Sequence, residues 1–438
     1  MAKVRPSRSI GVWMNGELVG FWGAPPNGRQ EFVYAESWLN SAFVRPISLS
    51  LPLRPSSEPY RTGVESFFEN LLPDNRTVRE RIQRRFQTRS AGPFDLLGQI
   101  GRDCVGALQL LPEGEVPTGL RKITGEPLSP KGIAEHFSAV LGNPITTSGN
   151  EPHDFRISVA GAQEKTGLLW HEGKWHRPTG STPTTHLLKL PIGEVPSGLD
   201  LSTSVENEWL CGRILEAYGV PVARSEIATF GQFKTLVVER FDRRTAPDGS
   251  WWLRLPQEDF CQATGTAPAA KYESEGGPGI ERILEILRGG DQPDADRLRF
   301  LRLQVLFWVL AATDGHAKNF SIFILPGGSF NLTPCYDVLS VHPYIGRGHG
   351  KLARQKVRMA MAVSGTNRHY HWDDIRRSHW IETARRCGFS RMRELLDEIR
   401  AKTPEVAEKV RTALPPRFPS AIAQPILEGI VTSAERLA

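Results

Sequence analysis

Cysteine is scarce and scattered in this chain of 438 residues. The five present, Cys104, Cys211, Cys261, Cys335 and Cys387, form no C-x-x-C pair, which suits neither a zinc cluster nor a disulfide-stapled secreted domain. The eleven histidines include no H-E-x-x-H; His369 and His371 are close but have no obvious carboxylate or thiolate partner, so a structural metal is not expected. Long apolar runs are also missing. The most apolar stretch, 305–312, is far short of the about 20 residues that span a bilayer. The start, Met1-Ala-Lys-Val-Arg-Pro-Ser-Arg8, lacks the apolar segment of a secretory signal. A soluble, cytoplasmic protein with no membrane partner is expected. With 41 Gly and 33 Pro the chain lies below the level that signals disorder or collagen, and its length suggests two or three domains. The net charge of +6, from 54 Lys and Arg against 48 Asp and Glu, favours a polyanionic partner only weakly.

Patterning divides the chain into four stretches. Residues 1–112 open with a predicted hairpin over 11–14 and 18–22, joined by Asn15-Gly16. A strand at 47–51, helices at 64–72 and 75–85, and a strand at 104–111 follow. The second helix region carries Arg76, Arg79, Arg81, Arg84 and Arg85, with Arg89 just beyond. Residues 113–150, rich in Gly, Pro, Ser and Thr, read as a linker with a short helix near 132–141. Residues 151–249 read as a β-rich lobe, with strands at 155–159, 166–170, 185–190, 223–229 and 234–239 and a helix at 204–218. Residues 250–438 are mostly helical. A buried helix at 294–313 leads to a strand pair at 320–325 and 329–332, joined by Pro326-Gly-Gly328.

The sharpest local feature is Asp314-Gly-His-Ala-Lys-Asn319, followed after the strand pair by Cys335-Tyr-Asp337. Phosphoryl transfer of the kinase kind needs a carboxylate near the attacking hydroxyl, an Asn on one Mg²⁺ and a second Asp on Mg²⁺. Asp314, Asn319 and Asp337 fit those roles in order, although D-x-x-x-x-N alone is a weak motif and often only a helix cap and a turn. Upstream, the loop Ala160-Gly161-Ala162-Gln163-Glu164-Lys165 between two predicted strands can lay backbone N–H groups over phosphates. Lys189 sits inside an otherwise apolar strand, where a lysine is costly unless it meets an anion; the alternative is an edge strand from which its stem reaches water. Glu206 and Glu208 on the next helix are both eligible to pair with it, and Glu208 is the choice made here. Glu239 and Phe241 end a buried strand between the lobes, which reads either as a plain lobe connection or as an edge whose backbone meets an adenine with Phe241 against the ring. His316 and Lys318 lie in the same loop and read equally as contacts to phosphate or substrate and as surface residues. Gly276-Gly-Pro-Gly279 resembles a phosphate-binding turn but lacks a Lys-Ser/Thr sequel.

In this order the motifs resemble the HipA family of toxin serine/threonine kinases. The resemblance covers nearly the whole chain and is carried by Phe155-Arg-Ile-Ser-Val-Ala-Gly-Ala-Gln-Glu-Lys165, Thr182-Pro-Thr-Thr-His186, Lys189-Leu-Pro-Ile-Gly-Glu194, Val238-Glu-Arg-Phe-Asp-Arg243, Leu255-Pro-Gln-Glu-Asp259 and Ala312-Thr-Asp-Gly-His-Ala-Lys-Asn-Phe320. It implies an α+β, two-lobed kinase-like fold with a β-rich nucleotide lobe, a helical catalytic lobe and an extra N-terminal module. It implies Asp314 as catalytic aspartate, Asn319 and Asp337 as Mg²⁺ ligands, and Lys189 with the 160–165 loop at ATP phosphates. Glu239 and Phe241 would meet adenine through the backbone, Gln257 would lie near the nucleotide, and Ser158 would be autophosphorylated. The implied partners are a HipB-like helix-turn-helix antitoxin, operator DNA bound with it, and a translation protein of the glutamyl-tRNA synthetase type, in a bacterial cytoplasm and partly at the nucleoid. Arg347, Lys351, Arg354, Lys356 and Arg358 are candidate contacts to DNA or partner. G-x-G-x-x-G, H-R-D and D-F-G are absent, a departure from generic protein kinases that the HipA family shares. Two other readings compete: a DNA-bound corepressor with vestigial catalysis, and a small-molecule phosphotransferase.

Overall fold

Asn15 and Gly16 both take positive φ, 47° and 94°, the conformation that folds a two-residue hairpin loop. The strands they join, β1 (Arg8–Met14) and β2 (Glu17–Ala24), are the middle of a four-stranded antiparallel sheet with β3 (Glu31–Tyr34) and β4 (Leu108–Pro112), in the order β3-β2-β1-β4. The computed structural model describes residues 8–25, 29–141, 163–196 and 198–438. Between β3 and β4 lie α1 (Glu36–Leu39), α2 (Val64–Glu69), α3 (Arg76–Phe86) and α4 (Pro93–Ile100). They close a core in which Trp22 stacks on Phe68 at 3.9 Å between ring centroids. The expected strand at 47–51 is instead a turn closed by Leu51 N–H donating to the Ser48 carbonyl at 3.1 Å. Its apolar alternation arises because Ile47 and Leu51 are both buried on that turn. The strand expected at 104–111 begins only at Leu108. Before it Gly106, at φ 75°, lies so close to another segment that a Cβ would stand 2.7 Å from the Gln257 carbonyl.

The second sheet has six antiparallel strands: β5 (Gly125–Leu128), β6 (Lys165–His171), β7 (Lys174–Pro178), β8 (His186–Lys189), β11 (Ser225–Phe230) and β12 (Phe233–Glu239), in the order β11-β12-β8-β6-β7-β5. A small hairpin, β9 (Gly193–Glu194) with β10 (Asp200–Leu201), precedes helix α6 (Ser204–Ala217). The 113–150 stretch, expected as a linker with one helix, does more than link. It adds β5 to the sheet edge, and α5 (Pro130–Val140) buries Ile133 and Phe137 against Leu168, Leu188 and Val237. Pro127 inside β5 disguises the strand, and an edge is where a sheet tolerates it. The strand expected at 155–159 lies outside the described residues.

The remaining part is helical around a large core. Helices α7 (Phe260–Thr264), α8 (Ile280–Leu287), α9 (Pro293–Val309), α10 (Arg377–Arg386), α11 (Met392–Thr412) and α12 (Ser420–Glu435) surround it. Short strands complete it: the pair β13 (Arg243–Thr245) and β14 (Trp252–Arg254), the three-stranded β15 (Gln257–Asp259), β16 (Ser321–Ile324) and β17 (Phe330–Leu332), and the pair β18 (Arg358–Ser364) and β19 (Arg368–His371). The end of α9 is buried on all sides, through Phe307, Trp308 and Val309. No helix among the described residues is long and apolar enough to cross a membrane.

Asp103 and Glu258 are among the buried polar groups that tie the N-terminal module to the rest. Asp103 accepts from Arg243 at 2.9 Å, from Arg254 at 3.2 Å and from Thr184 Oγ1 at 2.7 Å. Fully buried Glu258 accepts from the Leu49 N–H at 2.8 Å, while its second oxygen has no partner among the described residues. Burial pushes the Glu258 carboxyl from 4.5 up to about 8. Its protonated form therefore stabilises the fold below about 4.5, and that contribution is lost as pH rises through about 8. Glu258→Gln keeps the acceptor for Leu49 and carries no charge. Thermal unfolding is expected to show the variant more stable than the parent by about 1–3 kcal/mol above pH 8, and equal to it near pH 5. An advantage independent of pH would contradict this.

Candidate functional site

Strand β8 lies in the middle of its sheet, so Lys189 is not an edge lysine able to reach water. Its Nζ donates to Glu208 Oε1 at 2.6 Å and to Asp337 Oδ1 at 2.8 Å. Both carboxylates offset a burial that would otherwise deprotonate the amine, and they hold its pKa above the ordinary lysine value. Burial and the nearby Asp337 push the Glu208 carboxyl up. The other eligible acid, Glu206, points elsewhere and pairs with Lys234. Residues two apart on a helix face different ways, so only one of the two could meet Lys189.

Asp337 reaches Lys189 because the chain returning from β17 docks on the first lobe. Ala223 N–H donates to the Cys335 carbonyl at 2.8 Å, and Cys335 N–H to the Pro221 carbonyl at 2.9 Å. Asp337 itself has φ 60°, a left-handed conformation that costs energy without glycine and clusters at functional sites. Burial would raise its carboxyl, but Lys189 and then Lys165 outweigh that and hold it well below the carboxylate range.

The Asp314 loop is a tight turn at the end of α9. His316 N–H donates to the Asp314 carbonyl at 2.8 Å, and Asn319 N–H to the His316 carbonyl at 2.9 Å. The Asp314 side chain is 65% exposed and accepts from the Tyr272 hydroxyl. The Asn319 amide donates to the Asp337 carbonyl at 3.3 Å, leaving its buried Oδ1 without a partner among the described residues. An unpaired amide oxygen beside a carboxylate is the oxygen donor set that Mg²⁺ uses together with phosphates, so these residues fit the ion.

Lys189, Asp314, Asn319 and Asp337 line one cleft, about 1080 Å³ including its open mouth. Its walls include Lys165, Lys189, Glu239, Phe241, Gln257, Asp314, His316, Lys318, Asn319 and Asp337. Lys165 stands beside Lys189 in register on β6, and desolvation lowers its pKa to about 8. Gln257 donates to Ser321 Oγ at 3.0 Å and keeps a buried oxygen without a partner among the described residues. Phe241 packs against Tyr336 and Phe323 at centroid distances of 5.7 and 5.9 Å. Gln163 donates to the Leu190 carbonyl, at the entrance to β6. Ser158, Ala160, Gly161 and Ala162 lie outside the described residues.

The basic stretch is elsewhere. Arg347, Lys351, Arg354, Lys356 and Arg358 are exposed and none lines the cleft. Arg354 pairs with Asp373 at 2.9 Å, and Lys351 donates to the Pro343 carbonyl at 2.9 Å. The Gly276–Gly279 turn is filled by Glu273, whose carboxylate accepts from Ala362 N–H at 2.6 Å and pairs with Arg368. A turn already holding an acid is not free for phosphate.

Several cleft residues escape sequence reasoning. Asn70, Leu71 and Asp74 come from the N-terminal module, and Asp259 and Lys271 from the helical part. Asp74 precedes Asn75, which caps α3 by accepting from Thr77 N–H at 2.9 Å. In sequence the two read alike, as a helix start.

The HipA-like C-terminal domain model matches residues 157–407, and the HipA N-terminal domain model matches 10–111. The chain is similar to the putative kinase Y4mE of Sinorhizobium fredii, 36% identical over 342 residues, covering 77% of this chain and 78% of the relative. It is similar to the serine/threonine-protein kinase toxin HipA of Shewanella oneidensis, 29% identical over 324 residues, covering 71% and 70%. It shares the fold of the solved Shewanella oneidensis MR-1 HipA in complex with HipB and its operator DNA, with a TM-score of 0.79 at 24% identity over 98% of this chain and 97% of that one. The two domain models and the 36% identical relative together establish that the chain belongs to the HipA family of kinases.

Proposed function

We propose that this chain is an ATP- and Mg²⁺-dependent protein serine/threonine kinase and the toxin of a toxin–antitoxin pair. The observation that carries the reading is the convergence of Lys189, Asp314, Asn319 and Asp337, from three separate stretches, on one cleft. Asp314, exposed at the mouth, accepts the proton of a serine hydroxyl as its oxygen attacks the γ-phosphorus and ADP leaves. Lys189 and Lys165 bind the ATP phosphates, and the end of β12 presents its backbone at Glu239 and Phe241 to the adenine. Asn319 and Asp337 would hold Mg²⁺, which neutralises charge developing on the phosphates when bound. His316 and Lys318 line the same wall, and Gln257 offers its side-chain oxygen to the nucleotide.

Ser158 is the proposed site of autophosphorylation. A phosphate there adds about −1.5 to −2 charge to the loop expected to cover ATP, and that repulsion switches the kinase off. The partners proposed are a HipB-like antitoxin and, with it, operator DNA; the solved relative was captured with both. Residues 347–438 hold 18 Lys and Arg against 10 Asp and Glu, a surplus greater than that of the whole chain. Exposed Arg347, Lys356 and Arg358 lie at the start of that region and are suited to phosphates or an acidic partner. The proposed target is an aminoacyl-tRNA synthetase of the glutamyl type, with growth arrest and persistence as the outcome.

Incubation with labelled Mg-ATP followed by phosphopeptide mapping tests the reading. Label is expected on Ser158. A chain that takes up no label is not a kinase, and labelling unchanged in Ser158→Ala removes the regulatory site.

A further inference from the structure

Asp74 comes from the turn between α2 and α3, outside both kinase lobes, yet its carboxylate lines the catalytic cleft. One oxygen accepts from Lys318 Nζ at 2.7 Å and the other from Lys271 Nζ at 2.9 Å. Lys318 belongs to the Asp314 turn, and its side chain is only 4% exposed. Lys271 directly precedes Tyr272, whose hydroxyl donates to Asp314. The Asp74 carboxyl is itself mostly buried; burial would raise it, but the two lysines hold it down to about 2. A neighbouring tie steadies the turn, where Asn70 Nδ2 donates to the Thr266 carbonyl at 2.9 Å.

A lysine is a point charge on a flexible stem and aims poorly by itself. Two lysines that converge on one spot in the cleft wall also repel each other unless an anion sits between them. Asp74 is that anion, and it takes one hydrogen bond from each. We infer that Asp74 is a positioning residue of the phosphoryl-transfer site: it holds Lys318 and Lys271 as a preformed cation pair beside Asp314. The N-terminal module is then part of the active site and not only an appended domain. This rests on the kinase reading above. A different reading, in which Asp74 occupies a phosphate position and must leave, predicts the opposite sign and is decided by the same experiment.

The test uses the full chain and compares Asp74→Asn, Asp74→Glu, Lys318→Met and the Asp74→Asn/Lys318→Met double variant. The measurements are the self-labelling rate at saturating Mg-ATP and the ATP concentration giving half that rate. Asp74→Asn is expected to slow labelling by about 10- to 100-fold, the scale of a misaimed catalytic group, with half-saturating ATP nearly unchanged. Asp74→Glu recovers part of the rate. On the Lys318→Met background Asp74→Asn is expected to add only the smaller loss that comes through Lys271, well short of its effect in the parent, since a residue acting through another loses that share of its effect when the other is gone. If Asp74→Asn does not fold, Lys271→Met severs the more exposed ion pair and is expected to slow labelling by a smaller factor, again at unchanged half-saturating ATP. A rate equal to or above the parent in either single variant, or a loss additive with Lys318→Met, overturns the inference while leaving the kinase reading intact. Absence of label in the parent overturns both.

Discussion

Asp314→Asn is expected to lower phosphoryl transfer by about 10²- to 10⁴-fold, the range for a positioned general base, while leaving the thermal unfolding midpoint where it is. The separation of the two effects follows from placement. The Asp314 side chain is 65% exposed, so no buried charge is removed. An amide oxygen at the same position can still accept from the Tyr272 hydroxyl, which keeps the local hydrogen bond. What disappears is the ability to take a proton. Labelled-ATP transfer and calorimetry on the same preparations check the pair. Equal label on parent and variant would remove Asp314 from the chemistry, and a large drop in midpoint would make its role structural.

Lys189→Met is expected to fail in both measurements. Lys189 and Glu208 side chains are 7% and 8% exposed, so the substitution leaves Glu208 buried opposite Asp337 with no cation between them. Removing one partner of a buried ion pair costs about 3–5 kcal/mol, with the lower end favoured here because the Asp337 side chain keeps 34% exposure. The deficit should shrink as pH falls, because a protonated Glu208 needs no cation. Its carboxyl, already pushed up by burial, reaches that state early. Adding Glu208→Gln to Lys189→Met should recover stability but not activity. Denaturant unfolding at several pH values reads the first effect, and ATP transfer reads the second. Recovery of transfer in the double variant would contradict a phosphate-binding role for Lys189.

Elements in and around the six-stranded sheet show where sequence patterning holds and where it stops. Lys165–His171, Phe233–Glu239 and Ser204–Ala217 stand within a residue or two of their expected bounds, because each carries a full apolar period of its own. The Gly125–Leu128 strand has four residues, one of them Pro127, and no period to read. Only pairing with Lys174–Pro178 makes it a strand. The 47–51 segment errs the other way, with a strand-like alternation produced by a turn that buries both its ends.

The same division runs through the cleft. By itself the sequence set Asp314 and Asn319 five residues apart, near enough to share one site, and put Lys189 in an apolar strand where it is costly without an anion. Which anion was a matter of tertiary structure. Glu206 and Glu208 have the same chemistry and nearly the same position in the chain, and only the rotation of the helix against the sheet assigns one to Lys189 and the other to Lys234. Asp337 lies 148 residues from the lysine it meets, and Asp74 lies 244 from Lys318. Backbone geometry couples residues a few places apart, whereas pairs this distant meet only because separate cores pack and bring their surfaces together, and that information is spread over every residue in those cores.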